Sequence, residues 1–226
     1  MENLLRYKTY IIIPKTWYIH MTSNKGGYMS HINTLQIQDH TAEAIFSDMV
    51  RLEITDPKFF HENRYSFSLR RKYTNMFSWC IVDDRLLYLL KNNIHGKAVD
   101  IIAGSGYLAK KLRELSVEID ANGPSEEKYG CDMQDFGITF RQDPVETCKD
   151  YDTVILSWPP YDNNLAFDVW QAMKPGAVML YIGEWQGGCN ANDAFFDSIE
   201  DCVTETHAIT QWDGIHDQLF VIHKPE

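Results

Sequence analysis

From residue 98 onward, short apolar runs alternate with segments of helical spacing. Ala98-Val99-Asp100-Ile101-Ile102 reads as a strand ending at Gly104, and Tyr107 to Leu115 as a helix with Leu108 and Leu112 on one face. Val117 to Ala121 predicts a second strand, and Ile138 to Phe140 a weaker third. Thr153-Val154-Ile155-Leu156 is apolar enough for a strand covered on both faces. Ala166, Val169, Trp170 and Met173 recur at i, i+3, i+4 and i+7, which predicts an amphipathic helix. Ala177 to Ile182 follows as a strand and Ala194 to Ile199 as a helix. The last two strands, Thr204 to Thr210 and Gln218 to His223, are joined by a short loop containing Gly214. That loop has no room for a crossover helix, so the two must pair antiparallel. The pattern predicts an α/β protein: a doubly wound, mostly parallel seven-stranded sheet ending in an antiparallel hairpin.

Upstream the pattern is weaker. Tyr10 to Ile13 could form a strand, and Met21 to Ser30 reads as loop, so residues 1–38 are an extension of uncertain order. A helix is expected from about Thr41 through Leu52, stopped by Asp56-Pro57. Phe59 to Trp79 is aromatic and basic, read as irregular with short helical pieces. Asp83 or Asp84 caps a helix carrying Leu86, Leu87, Leu89 and Leu90, which stops near Asn93. The chain thus divides at about residues 38 and 94 into an N-terminal extension, a helical and aromatic cap, and a main domain over 95–226.

Charge sharpens this division. Residues 1–80 carry a net charge of +3 and residues 81–226 a net of −14. An acidic body repels phosphate backbones, so nonspecific nucleic-acid binding is not expected. The one basic cluster, Arg70-Arg71-Lys72, is short enough to be a solvated turn. Five scattered cysteines with no C-x-x-C pair, and histidines that do not cluster, predict neither a disulfide framework nor a metal site. No apolar run is long enough to span a bilayer, and no secretory pattern opens the chain, so a cytoplasmic protein is the expectation.

Two segments carry candidate chemistry. In Asp100-Ile101-Ile102-Ala103-Gly104-Ser105-Gly106 a strand passes into a helix through glycines, which allow a sharp turn and close approach of a ligand. The free N–H groups of the following helix suit a carboxylate or phosphate. Asp120, fourteen residues after Gly106, is placed to accept hydrogen bonds from a ribose, so an adenosine-containing ligand is indicated. The same residues also read as Gly104-x-Gly106-x-x-Ala109, a dinucleotide fingerprint, or as a tight turn with no ligand. The second segment, Ser157-Trp158-Pro159-Pro160-Tyr161-Asp162, follows a buried strand. Two prolines remove N–H donors and leave carbonyls free to accept, while an aromatic ring beside them can stack on a planar group.

Together these segments resemble the Rossmann-like class of S-adenosylmethionine (SAM)-dependent methyltransferases. Asp100, Gly104 and Gly106 match the first motif of that class, with Ile102 in place of its first glycine, and Asp120 matches its ribose-binding acid. The Pro-Pro-Tyr segment is similar to the motif of amino-directed members, although Trp158 stands directly before Pro159 and the polar residue, Ser157, is one place back. Met173-Lys174-Pro175-Gly176 and Tyr181-Ile182-Gly183-Glu184 fit the same class. The resemblance covers roughly residues 73–223 and implies SAM as cofactor, held by Trp79, Asp100, Gly104, Gly106, Asp120, Ser157 and Trp158. It implies Ser157, Pro159, Tyr161 and Glu184 (or Asp162) as the catalytic group. The resemblance brings no known acceptor; the aromatic-rich approach favours a planar one, such as a nitrogen of a planar small molecule or nucleotide, with a protein side chain also left open. Alternatives left open are a SAM-binding relative without transferase activity and a nicotinamide-dinucleotide oxidoreductase.

Overall fold

The computed structural model describes residues 65–124, 135–212 and 214–226. The expected strand at Tyr10 to Ile13 and helix from Thr41, and with them the N-terminal extension, lie outside the described residues. In chain order the elements are α1 (Tyr65–Met76), α2 (Asp84–Asn93), β1 (Ala98–Asp100), α3 (Tyr107–Glu114), β2 (Ile119–Ala121), α4 (Pro144–Thr147), β3 (Thr153–Ser157), α5 (Leu165–Ala172), β4 (Val178–Gly183), α6 (Asp193–Ile199), β5 (Val203–Ala208) and β6 (Gln218–His223).

The six strands form one sheet in the order β2-β1-β3-β4-β6-β5. The first four run parallel, while β6 is antiparallel to both β4 and β5. β3, after β1 and β2, returns to the other side of β1, so the strand order reverses between β1 and β3. In an open α/β sheet that reversal leaves a crevice beyond the strand ends, the usual place for a ligand.

Alternate residues explain how the sheet is covered. Val154 and Leu156 of β3, Met179 and Tyr181 of β4, and Phe220 and Ile222 of β6 share a core with Val169, Trp170, Phe195 and Ile199 of α5 and α6. The intervening Ile155, Leu180, Ile182, Leu219 and Val221 are buried as well. Both faces are therefore covered, as uninterrupted apolar runs require. The outer strand β5 alternates Thr204, Glu205, Thr206 and His207, mostly exposed, which discourages edge pairing with other chains.

Two expectations need correcting. Residues 65–76 form a regular helix where an irregular segment was expected. Among its described side chains Tyr73 is buried, its hydroxyl accepting the Val82 N–H at 3.0 Å, and Phe77 just beyond it is buried as well. The sheet has six strands among the described residues, and Ile138 to Phe140 contributes only one parallel bridge, between Asn122 and Phe140. Here the Thr139 hydroxyl accepts the Ala121 N–H at 3.0 Å, the bond a ladder carbonyl would make, and so ends the pairing. Arg113 staples this segment, donating to Ile119 O, Gly137 O and Thr139 Oγ1. No helix among the described residues is long and apolar enough to cross a membrane.

Candidate functional site

A cavity of about 520 Å³ opens at the reversal point. Its walls come from Asp100 to Ser105 after β1, Gly123 and Pro124 after β2, Arg141 to Pro144 before and within α4, and Ser157, Trp158 and Pro160 after β3. Thr74 of α1, Phe77 to Trp79 after it, Leu108 of α3, and Asn163 and Leu165 at the start of α5 also line it.

The glycine turn is built as its sequence requires. Gly104 and Gly106 have φ of +55° and +81°, the left-handed region that a side chain disfavours. Gly104 lines the cavity, whereas Gly106 lies under the turn, where an added Cβ would stand 2.9 Å from Ile138 Cδ1. Gly106 therefore shapes the turn from beneath without touching the space. The Ser105 hydroxyl donates to Phe77 O at 2.6 Å, tying the turn to the end of α1. Ile102 lines the cavity in the place of the missing glycine.

Asp100 closes the inner wall. It is 1% exposed, and its Oδ1 has no hydrogen-bond partner. Burial pushes its carboxyl up to about 7, with the Arg113 charge pulling the other way. A buried carboxylate oxygen without a partner carries an uncompensated desolvation cost, which a cationic donor would relieve most.

Asp120 is elsewhere. It sits opposite Val99, one residue short of the end of β2, and its Oδ2 accepts from the Tyr151 hydroxyl at 2.7 Å. Lys97 lies over the same tyrosine ring at 4.2 Å. Asp120 is not among the residues that line the cavity, and its Oδ2 is engaged by the Tyr151 hydroxyl. The residue beyond the strand end on its side is Asn122, fully buried, its amide taken up by Ile101 O, Gln142 O and Gln142 N. Besides Asp100, the cavity is lined by the acid Asp143, whose Oδ1 caps α4 by accepting from Val145 and Glu146 N–H. Asp143-Pro144 is a helix-start signal that could have marked this position in the sequence.

The turn after β3 is strained and pinned. Trp158 has φ of +48°, a conformation costing on the order of 1–3 kcal/mol for a bulky residue. Its N–H donates to Ile182 O at 2.8 Å and its Nε1 to Asp217 Oδ2 at 3.2 Å. Its ring stacks on Trp79, with centroids 5.7 Å apart and planes at 28°. Trp79 is 51% exposed, and the Arg70 guanidinium lies 5.8 Å from its ring centre. Ser157 also lines the cavity, and its hydroxyl shares the Cys80 thiol with that of Ser78, at 3.7 and 3.3 Å. Burial pushes this thiol up to about 12, so it stays protonated.

Of the four expected catalytic residues the structure brings only Ser157 to the cavity. The Pro159 carbonyl, expected to be free, accepts the Ala191 N–H at 2.9 Å because the turn packs against the 190–192 loop. Tyr161 is 58% exposed and outside the wall. Glu184 accepts the His216 N–H at 2.8 Å through Oε1, while its backbone N–H and carbonyl are held by Asn190. Asp162 accepts from Asn163 at 3.3 Å. Gln142 and Asn163 are wall residues that the sequence reading missed, and no motif marks them. Among the described residues no three His, Cys, Asp or Glu side chains group as metal ligands.

No known family profile matches the sequence, and no curated protein matches it. Distant likenesses appear among solved structures. One is a putative class I SAM-dependent methyltransferase from Listeria monocytogenes, at 14% identity over 87% of this chain and 72% of that one, with a TM-score of 0.43. A second is a point mutant of MtNAS in complex with SAM, at 13% identity over 87% and 82%, with a TM-score of 0.46. A third is human N-acetylserotonin methyltransferase in complex with SAM, at 14% identity over 82% and 67%, with a TM-score of 0.44. At such distances the function has to be read from this chain's own site.

Proposed function

We propose that this chain is a SAM-dependent methyltransferase whose cofactor occupies the cavity between the ends of β1 and β3. One observation carries the reading: the unpaired Oδ1 of buried Asp100 in the cavity wall, a fitting partner for the cofactor's ammonium group. The left-handed turn at Gly104 brings the backbone close to the same space. Gln142 and Asp143 supply polar groups at the other end, suited to a sugar or base. When bound, the cofactor supplies an electrophilic methyl on a sulfonium, a leaving group needing no protein acid. The residues are then left with positioning. Trp158 and Trp79 wall the cavity with aromatic faces that favour a planar acceptor, and the Ser157 and Ser78 hydroxyls are the polar groups available to orient it. The acidic body argues for a small molecule or nucleotide over nucleic acid.

A second reading, SAM binding without transfer, is favoured by the placement of Pro159, Tyr161 and Glu184 outside the cavity. Incubating the protein with methyl-labelled SAM and a cell-extract pool separates the two. Label in any acceptor supports transfer; tight SAM binding with no labelled acceptor favours the second reading. The dinucleotide alternative is tested by titrating NAD alongside SAM, and NAD should show no heat.

A further inference from the structure

Asp217 has no part in the reading above. It precedes β6, is completely buried, and bonds Trp158 Nε1 through Oδ2 while Oδ1 has no partner. Its backbone carbonyl already accepts from Gln211 Nε2 at 2.7 Å, so the loop is tied without the carboxylate. A buried carboxylate bonded to one neutral N–H costs more than an apolar side chain of similar size. What it holds is the indole of a residue in a left-handed conformation that a bulky side chain avoids. That indole in turn stacks on Trp79, and both residues line the cavity.

We infer that Asp217 is a positioning residue: by accepting from Trp158 Nε1 it fixes the two stacked indoles as one wall of the ligand cavity. The inference stands on the geometry, and only its ligand measurement rests on the proposed SAM site. An ionised carboxylate makes roughly twice as strong an acceptor as a neutral group, so the wall should loosen when Asp217 takes up a proton. Burial raises its carboxyl to about 6, helped by the nearby Glu184 and opposed by Arg70 and by the Trp158 bond. The Cys80 thiol also faces it but stays neutral, and the adjacent His216 is exposed.

The test uses the full chain labelled with ¹⁵N, with W158F identifying the Trp158 indole resonance. In wild type that resonance should titrate with a midpoint near 6, as it should in H216Q, and in E184Q the midpoint should fall, because the Glu184 charge no longer raises the Asp217 carboxyl. In D217N it should be independent of pH, and in D217L it should move upfield while the Trp170 resonance stays. Calorimetry with SAM should show D217N within threefold of wild type and D217L weakened tenfold or more. The inference is overturned by an unmoved Trp158 resonance in D217L, by a titration that survives in D217N, or by SAM bound equally by D217L. If D217L does not fold, the D217N titration decides. If wild type binds no SAM, the cofactor reading falls, and the resonances alone decide the role of Asp217.

Discussion

At the end of β1 the chain turns through two glycines and leaves a buried carboxylate oxygen unpaired. At the end of β3 it turns through Trp158 and two prolines and pairs the Trp158 N–H, the Trp158 Nε1 and the Pro159 carbonyl. Both ends line one cavity, yet one invites a ligand and the other holds itself in shape. The contrast teaches that a motif's polar atoms count as a site only where the fold leaves them unsatisfied. The β1 end has stability withheld from it, and the β3 end has strain offset by three anchors.

Substitutions should divide along that line. Trp158→Ala should be the most damaging to the free protein, losing roughly 3–5 kcal/mol by chemical denaturation, because a nearly buried ring and its Asp217 bond go together. A loss below about 1 kcal/mol would mean that the β3 end is not the rigid wall described. Asp100→Asn should do the reverse. The folded carboxyl titrates near 7 and the unfolded one near its ordinary value, so between these the folded chain holds a proton that the unfolded chain has released. Its contribution to stability is therefore lost as pH rises to about 7, and the cost of a buried charge persists above. At pH 8 Asp100→Asn should stabilise the free protein by roughly 2–4 kcal/mol, with no gain at pH 4. Equal effects at both values would contradict a buried, unpaired Asp100. Asp120→Ala should cost about 1 kcal/mol through the lost Tyr151 bond while leaving SAM affinity within twofold. A tenfold loss of affinity would return Asp120 to the site. Tyr161→Ala should change stability by less than about 0.5 kcal/mol, as an exposed ring does, and a larger change would place it in a further contact.

Strand and helix periods were enough to locate the sheet from β1 to β6, because the central strands β3, β4 and β6 are covered on both faces and read as apolar runs. The glycine turn and Asp100 were legible too, since left-handed turns leave a mark in the sequence. The partners of Asp120 and Asn122 were not, because counting residues finds polar groups near a strand end but not that Tyr151 and Gln142 reach them. The Pro159 carbonyl looked free for a similar reason: its partner, Ala191, lies thirty-two residues away. α1 was missed because its segment reads as aromatic and basic, with the buried Tyr73 and Phe77 at its end and just beyond.

The central claim is that Asp100 meets the cofactor's ammonium group. SAM titrated by calorimetry into wild type and Asp100→Asn between pH 5.5 and 8 tests it most directly. Only the ionised carboxylate is competent, so wild-type affinity should rise about tenfold per pH unit below 7 and level off above. Asp100→Asn should bind at least tenfold more weakly at pH 8, with no such rise. SAM affinity that is flat with pH and the same in both proteins would contradict the account.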